Sequence, residues 1–234
     1  MPVCEVTQLR NAGLYLTHAR ELYGDEFAGI RSHVIEWLES DTVQAECRKF
    51  AEGTRVADIK PFTIKYREHR LRVYEHDDPL LLLDNAAVRS IVEEAIGTPK
   101  CICIDLWHNP PGCNQHAPLW SQSWHRDPED SSPIKVFIYF AKVDEESGPF
   151  EYVLGSPWMF YDVCPPCSYP AKPIDTGAIP ERMFVKVTGG PGTVAFANTS
   201  GIHRGGHGAK PRTMAVLTYV PEQSPATILY RVNR

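Results

Sequence analysis

From Lys100 to the C-terminus the sequence is a succession of short apolar runs separated by glycine- and proline-rich turns, and few folds accept that pattern. Runs of this length, rich in Val, Ile, Phe and Tyr, read as the strands of a sandwich or barrel. Eight are expected, near residues 100–108, 121–127, 134–142, 150–154, 183–188, 192–198, 212–220 and 226–232. Eight strands after a helical third suit a jelly roll, two sheets closing around a pocket. The expected class is mainly β, a helical N-terminal third on a double-stranded β-helix core.

Upstream, residues 12–52 read as helical. Ala28, Ile30, Val34, Ile35, Trp37 and Leu38 form a mixed apolar stripe, Ser40 or Asp41 can cap a second helix, and Gly53 ends it. Ile59–Tyr74 has strand character, because Phe62, Ile64 and Tyr66 alternate with polar residues before Leu71 and Val73. A further helix runs from about Asn85 to Ile96 and stops at Gly97. No repeat, low-complexity tract or linker divides the 234 residues, of which 43% are hydrophobic. A single domain, 1–234, is expected, with 1–97 packed on 98–234. The loop 155–182 is the longest irregular stretch, and it and the helical N-terminus are candidates for covering a site.

Several function classes are disfavoured. A formal net charge of −5 argues against a nucleic-acid surface. No apolar run is long enough to cross a bilayer, and the polar N-terminus lacks a signal-peptide core, so a cytoplasmic protein is the default. Seven cysteines without an export signal do not suggest a disulfide framework. Cys164-Pro-Pro-Cys167 has redox or zinc half-site spacing, but one pair supplies two of four ligands and prolines fill the gap; it reads as loop thiols. Cys101 and Cys103 read as strand packing.

The chemistry-bearing stretch is Ser121-Gln-Ser-Trp-His-Arg-Asp-Pro128, with Thr199-Ser-Gly-Ile-His-Arg-Gly205 as its distant partner. On a strand, His125 and Asp127 share a face, and His203 would close one face of an octahedron. Two histidines and a carboxylate with open positions is a non-haem Fe(II) arrangement. A lone His-x-Asp is weak evidence, and spacing does not choose between a metal site and a rim histidine bonded to an aspartate. A second such pair, His76 and Asp78, lies among charges beside Pro79 and reads as a solvated turn. Arg212 opens a strand whose Met214, Val216 and Thr218 share its face. It is matched by an anion such as a dicarboxylate, by an internal Arg–Asp pair, or by solvent at the strand start.

From Ser121 to Tyr219 the chain resembles the phytanoyl-CoA dioxygenase family of Fe(II)- and 2-oxoglutarate-dependent oxygenases. The resemblance rests on Trp124-His-Arg-Asp127, Val143-Asp-Glu-Glu-Ser-Gly-Pro-Phe150, Gly155-Ser156, Gly192-Thr-Val-Ala-Phe-Ala-Asn198, His203-Arg-Gly205 and Arg212, and more loosely on Asp78-Pro79 with the helix to Gly97. It implies a cupin-like core, His125, Asp127 and His203 as iron ligands, Arg212 as the clamp on 2-oxoglutarate, and Phe137 as an aromatic lining that cosubstrate's pocket. It also implies molecular oxygen and a small metabolite as reactants. Because Asp127 is present where related halogenases lack the carboxylate, it favours hydroxylation or a cognate oxidation.

Two positions depart from the family pattern. Pro157 stands where histidine usually follows the glycine-serine pair, and Gly205 lacks the hydroxyl that often makes a second contact to 2-oxoglutarate. His108, His116 and His207 read as surface or hydrogen-bonded histidines, and Gln122 and Trp124 as facing away from the metal. Arg126 and Arg204 read as structural ion-pair formers. Two other activities remain: a zinc-type metallohydrolase on the same ligands and a non-catalytic jelly-roll binding module.

Overall fold

A computed structural model describes residues 4–54, 60–66, 72–114, 116–159 and 173–233. The elements, in chain order, are α1 (Cys4–Ala12), β1 (Leu14–His18), α2 (Ala19–Tyr23), α3 (Glu26–Glu39), α4 (Asp41–Ala51), β2 (Ile64–Lys65), β3 (Arg72–Tyr74), α5 (Ala86–Ile96), β4 (Pro99–Asn109), β5 (Ile134–Tyr139), β6 (Phe150–Val153), β7 (Phe184–Val187), β8 (Thr193–Asn198), β9 (His203–Gly205), β10 (Arg212–Pro221) and β11 (Tyr230–Val232). They form a six-stranded sheet ordered β1-β8-β5-β10-β4-β2, a three-stranded sheet ordered β7-β6-β9, and a β11-β3 pair.

Strand alternation decides what each face of the large sheet covers. Ile134, Val136 and Ile138 of β5 and Ala215, Leu217 and Tyr219 of β10 join Ile30, Val34, Val88 and Val92 of the helices in one core. The residues between them, Phe137, Tyr139, Met214 and Val216, meet Phe150, Tyr152 and Val187 of the small sheet. The hydroxyl of Tyr139 ties the sheets, donating to the Val187 carbonyl and accepting from the Phe150 N–H. The result is a two-sheet β sandwich with helices on its outer face. No described helix is long and apolar enough to cross a membrane.

Several expectations are corrected. Residues 12–52 are not continuously helical: Gly13, at φ 79°, turns the chain into β1, which adds an edge strand to β8. Ser40 does cap α4, accepting from the Val43 N–H, and Asn85 and Gly97 bracket α5. Residues 121–127 are not a strand. A 3-10 turn at Trp120–Gln122, with Trp120 at φ 52°, leads into an extended segment. The short β9 was not anticipated. Asp78 is buried rather than solvated, because it caps the 3-10 helix Pro79–Leu83 through the Leu80 N–H. Most helices lie on the outer face of the large sheet and so do not cover the space between the sheets. At the edge of that space, α4, through Val43 and Phe50, packs behind Phe62, with Trp37 and Leu38 of α3 against the same cluster. Cys164 and Cys167, the middle of loop 155–182, and residues 59 and 67–71 of the strand expected at 59–74 fall outside the described residues.

Candidate metal centre

Backbone pairing brings the widely spaced ligand candidates together. His125 and His203 form an isolated antiparallel bridge, each N–H donating to the other's carbonyl at 3.0 Å, and the Asp127 N–H donates to the Thr199 carbonyl at 2.8 Å. Ser156, from the Gly155-Ser156 turn, accepts the Ile202 N–H and donates to the Val153 carbonyl, which holds β9 against β6 just before His203. Arg126 points away from the cluster and donates to the carbonyls of Ser200, Ser156 and Met159, bracing the same turn.

The imidazole and carboxylate ligand atoms of His125, Asp127 and His203 all lie within 4.8 Å of one another, and all three residues are buried. Nδ1 of His125 faces the Ser123 carbonyl at 2.8 Å, and Nδ1 of His203 faces the Gly201 carbonyl at 3.0 Å. A carbonyl only accepts, so each Nδ1 carries the proton and each Nε2 turns a lone pair inward. Those atoms sit 3.7 Å and 3.3 Å from the Asp127 carboxylate oxygens. Three buried lone-pair groups facing one another call for a cation among them, and the donor set suits a first-row divalent metal. Burial, reinforced by His203, lowers the His125 pKa to about 3, so its imidazole stays neutral.

Asp127 has a second partner that sequence reasoning missed. The Lys135 ammonium lies 2.7 Å from Asp127 Oδ2 and 3.0 Å from Glu129 Oε1. Burial alone would lower the Lys135 pKa, but the two carboxylates raise it above the ordinary lysine value. Burial alone would raise the pKa of Asp127, but Lys135 and then the histidines hold it well below the usual carboxylate range.

The cluster opens on a cavity of about 280 Å³. Phe137 and Phe150 stack in its wall with ring centroids 4.1 Å apart, and Met214 lies in the same lining. Arg212 enters from the first position of β10, opposite Asn109 of β4, and is only 4% exposed. One guanidinium nitrogen, Nη1, donates to the Gly148 carbonyl, a neutral acceptor, while the buried Nε has no hydrogen-bond partner among the described residues. Burial lowers its pKa, and the groups whose fields reach it, Tyr139 and Cys113, are neutral near pH 7. Gly148, at φ 64°, lets the 206–208 backbone pack against it: a Cβ there would collide with the Gly206 carbonyl oxygen.

Lys60, Thr63, Trp107, Asn109, Ser121, Gln122 and Glu129 add polar groups to the lining. Gln122 was expected to face away, but the 3-10 turn brings it into the wall, bonded to Asn114 at 2.5 Å. Inward alternation of Lys135 with Phe137 was an available signal; Lys60, in a loop, offered none. Trp124 and Arg204 pack outside with Phe184 and Glu151. His108 bonds the Thr213 hydroxyl, His207 bonds the His116 carbonyl, and neither they nor His116 line the cavity.

No protein-family model matches the chain, and no curated protein matches it by sequence. Solved structures do. AviO1 from Streptomyces viridochromogenes Tue57 superposes with a TM-score of 0.62 at 14% identity, covering 97% of this chain and 98% of that one. The epimerase SnoN, in complex with Fe3+, alpha-ketoglutarate and nogalamycin RO, gives 0.61 at 14% identity over 95% and 84%. EctD from S. alaskensis, with 2-oxoglutarate and 5-hydroxyectoine, gives 0.61 at 15% identity over 100% and 88%. Likenesses at this identity establish a shared fold.

Proposed function

We propose that this chain is a non-haem Fe(II)- and 2-oxoglutarate-dependent dioxygenase of the phytanoyl-CoA dioxygenase-like kind, with a double-stranded β-helix core. In this reading it hydroxylates, or otherwise oxidises, a C–H bond of a small metabolite. His125, Asp127 and His203 hold the iron. The observation that carries the reading is Arg212, a buried guanidinium facing the same cavity as the three ligands and, among the described residues, bonded to a neutral carbonyl. A metallohydrolase does not need that charge; a dicarboxylate cosubstrate does. Neighbours of the same fold that contain iron or 2-oxoglutarate support the choice.

When bound, iron with 2-oxoglutarate supplies oxidative chemistry driven by decarboxylation of the cosubstrate to succinate. The chain's task is placement and shielding. The Ser123 and Gly201 carbonyls hold both imidazoles in the tautomer that presents Nε2. Lys135 engages Asp127 Oδ2 and so orients the carboxylate. Arg212 grips the cosubstrate's distal carboxylate, and the Phe137–Phe150 stack keeps water from its carbon chain.

Anaerobic addition of Fe(II) and 2-oxoglutarate tests this reading. A visible charge-transfer band should develop in the wild type and vanish in His203→Ala, and succinate should appear once oxygen is admitted. A wild type that binds iron without ever developing the band would refute it.

A further inference from the structure

The charges around the cavity do not balance once its proposed contents are in place. Among the described lining residues, Lys60, Lys135 and Arg212 are cationic and Asp127 and Glu129 anionic. Lys135 lies between both carboxylates, at 2.7 Å and 3.0 Å. A divalent metal and a cosubstrate dianion cancel one another, with the distal carboxylate taken by Arg212. One positive charge remains without a counter-charge, and geometry locates it at Lys60.

Lys60 has a left-handed backbone at φ 52°, an uncommon state for a residue with a side chain. It sits in the turn that leads to Phe62 and Thr63 of the cavity wall. Its ammonium lies 3.7 Å from the centroid of the Trp107 ring. A cation–π contact contributes about 0.5–2 kcal/mol but neutralises nothing. The acidic groups whose fields reach Lys60 are already engaged, Asp105 by Arg72 at 2.5 Å and Asp127 by Lys135. A cation short of a counter-charge, in a cavity lined with aromatic rings, forms a receptor for an oxyanion on an apolar body.

We infer that Lys60 anchors the primary substrate: that substrate carries an oxyanion, a carboxylate or a phosphate or sulfate ester, which pairs with the Lys60 ammonium while its carbon skeleton lies against Trp107 and Phe62. This rests on the oxygenase reading, because the surplus charge is counted with metal and cosubstrate present. Burial, with Lys135 adding to it, lowers the Lys60 pKa to about 7, as befits a cation held short of a counter-charge.

The test uses the nickel- and 2-oxoglutarate-loaded protein at pH 6.5 and calorimetric titration with two matched pairs, phenylacetate against phenylacetamide and phenyl phosphate against phenol. Wild type and Lys60→Arg should bind each acid at least tenfold tighter than its uncharged partner. Lys60→Met should bind both members equally, with its affinity for 2-oxoglutarate within threefold of wild type. Lys60→Gln serves as a second uncharged variant should Lys60→Met not fold. No acid preference in the wild type overturns the inference, as does a preference that survives in the uncharged variants. A tenfold loss of 2-oxoglutarate affinity in those variants also overturns it, by assigning Lys60 to the cosubstrate. If nickel and 2-oxoglutarate do not bind the wild type, the oxygenase reading itself fails; if they bind and the acid preference is missing, this inference alone fails.

Discussion

The backbones of His125 and His203 are hydrogen-bonded to each other in both directions, at 3.0 Å each way. Side chains directly opposite across an antiparallel bridge stand close, and here the imidazole centroids are 4.2 Å apart. The spacing of the two rings is thus set by main-chain atoms, with Ser156 pinning Ile202 one residue away. Main-chain hydrogen bonds thus hold the proposed ligand cluster together, which limits the reorganisation that metal binding would have to offset.

Arg212 is a buried cation with a neutral partner, so its removal should separate stability from cosubstrate binding. Arg212→Met, without ligands, is expected to melt at or above the wild-type temperature, since an unpaired buried charge is itself a cost. Affinity for 2-oxoglutarate should fall by about a hundredfold, in line with two to three kcal/mol for a charged hydrogen-bonded pair. Calorimetry and thermal melts with and without 2-oxoglutarate check both halves. Retained turnover of a hydrolysable substrate in this variant would instead favour the metallohydrolase.

Periodicity explains why some of this arrangement could be read from the sequence and some could not. Strands β4, β5, β8 and β10 bury runs of six residues or more, so they are visible in the sequence, and in β10 alternation gives the inward direction of Arg212, whereas Phe137 was indicated by the family resemblance. His125 and Asp127 share a face because the segment is extended, although it is not a strand. The 3-10 turn before it has no period to read, which is why Gln122 was turned the wrong way. β1 and β9 are five and three residues long, too short to announce themselves. Lys60 and Glu129 reach the cavity from loops, where tertiary contacts alone decide direction.

Lys135 should be among the costliest residues to truncate. Lys135→Met leaves Asp127 and Glu129 near one another in a buried wall without their cation, and breaking such a pair costs about 3–5 kcal/mol. Urea unfolding in chelator should show that loss. Lys135→Met combined with Glu129→Gln should recover part of it by removing one of the stranded charges. Additive losses in the double variant would refute the pairing.

His108 provides a pH signature. Burial lowers its pKa from 6.5 to about 4 in the folded chain, where its Nδ1 bonds the Thr213 hydroxyl at 2.8 Å. The unfolded chain therefore takes up the proton first as pH falls. Stability is fully present above about pH 6.5 and declines as pH drops towards 4, by on the order of 2–3 kcal/mol from this group. His125 adds a change of the same sign in metal-free protein, since its pKa is also lowered. Denaturation curves at pH 7, 6, 5 and 4.5 should show the fall, and His108→Gln should reduce the slope by about one proton.

Gly205 is where this chain lacks a hydroxyl that the resembling family often places beside the cosubstrate, and its surroundings leave room for one. A Cβ there would lie 3.6 Å from Arg212 Nη2 and 3.6 Å from the Ser121 carbonyl oxygen, ordinary contact distances, and no left-handed φ forbids a side chain. The substitution Gly205→Ser should therefore fold normally and put a donor next to the guanidinium, aimed at the same carboxylate. A hydrogen bond to a charged acceptor contributes about 1.5–3 kcal/mol at best, and holding the serine rotamer takes some of it back. Affinity for 2-oxoglutarate should rise several-fold in calorimetry, and the gain should disappear when Arg212 is also replaced by Met, because the carboxylate is then no longer held there. A gain that persists without Arg212, or a serine variant that binds 2-oxoglutarate more weakly, would mean that the distal carboxylate lies elsewhere in the cavity.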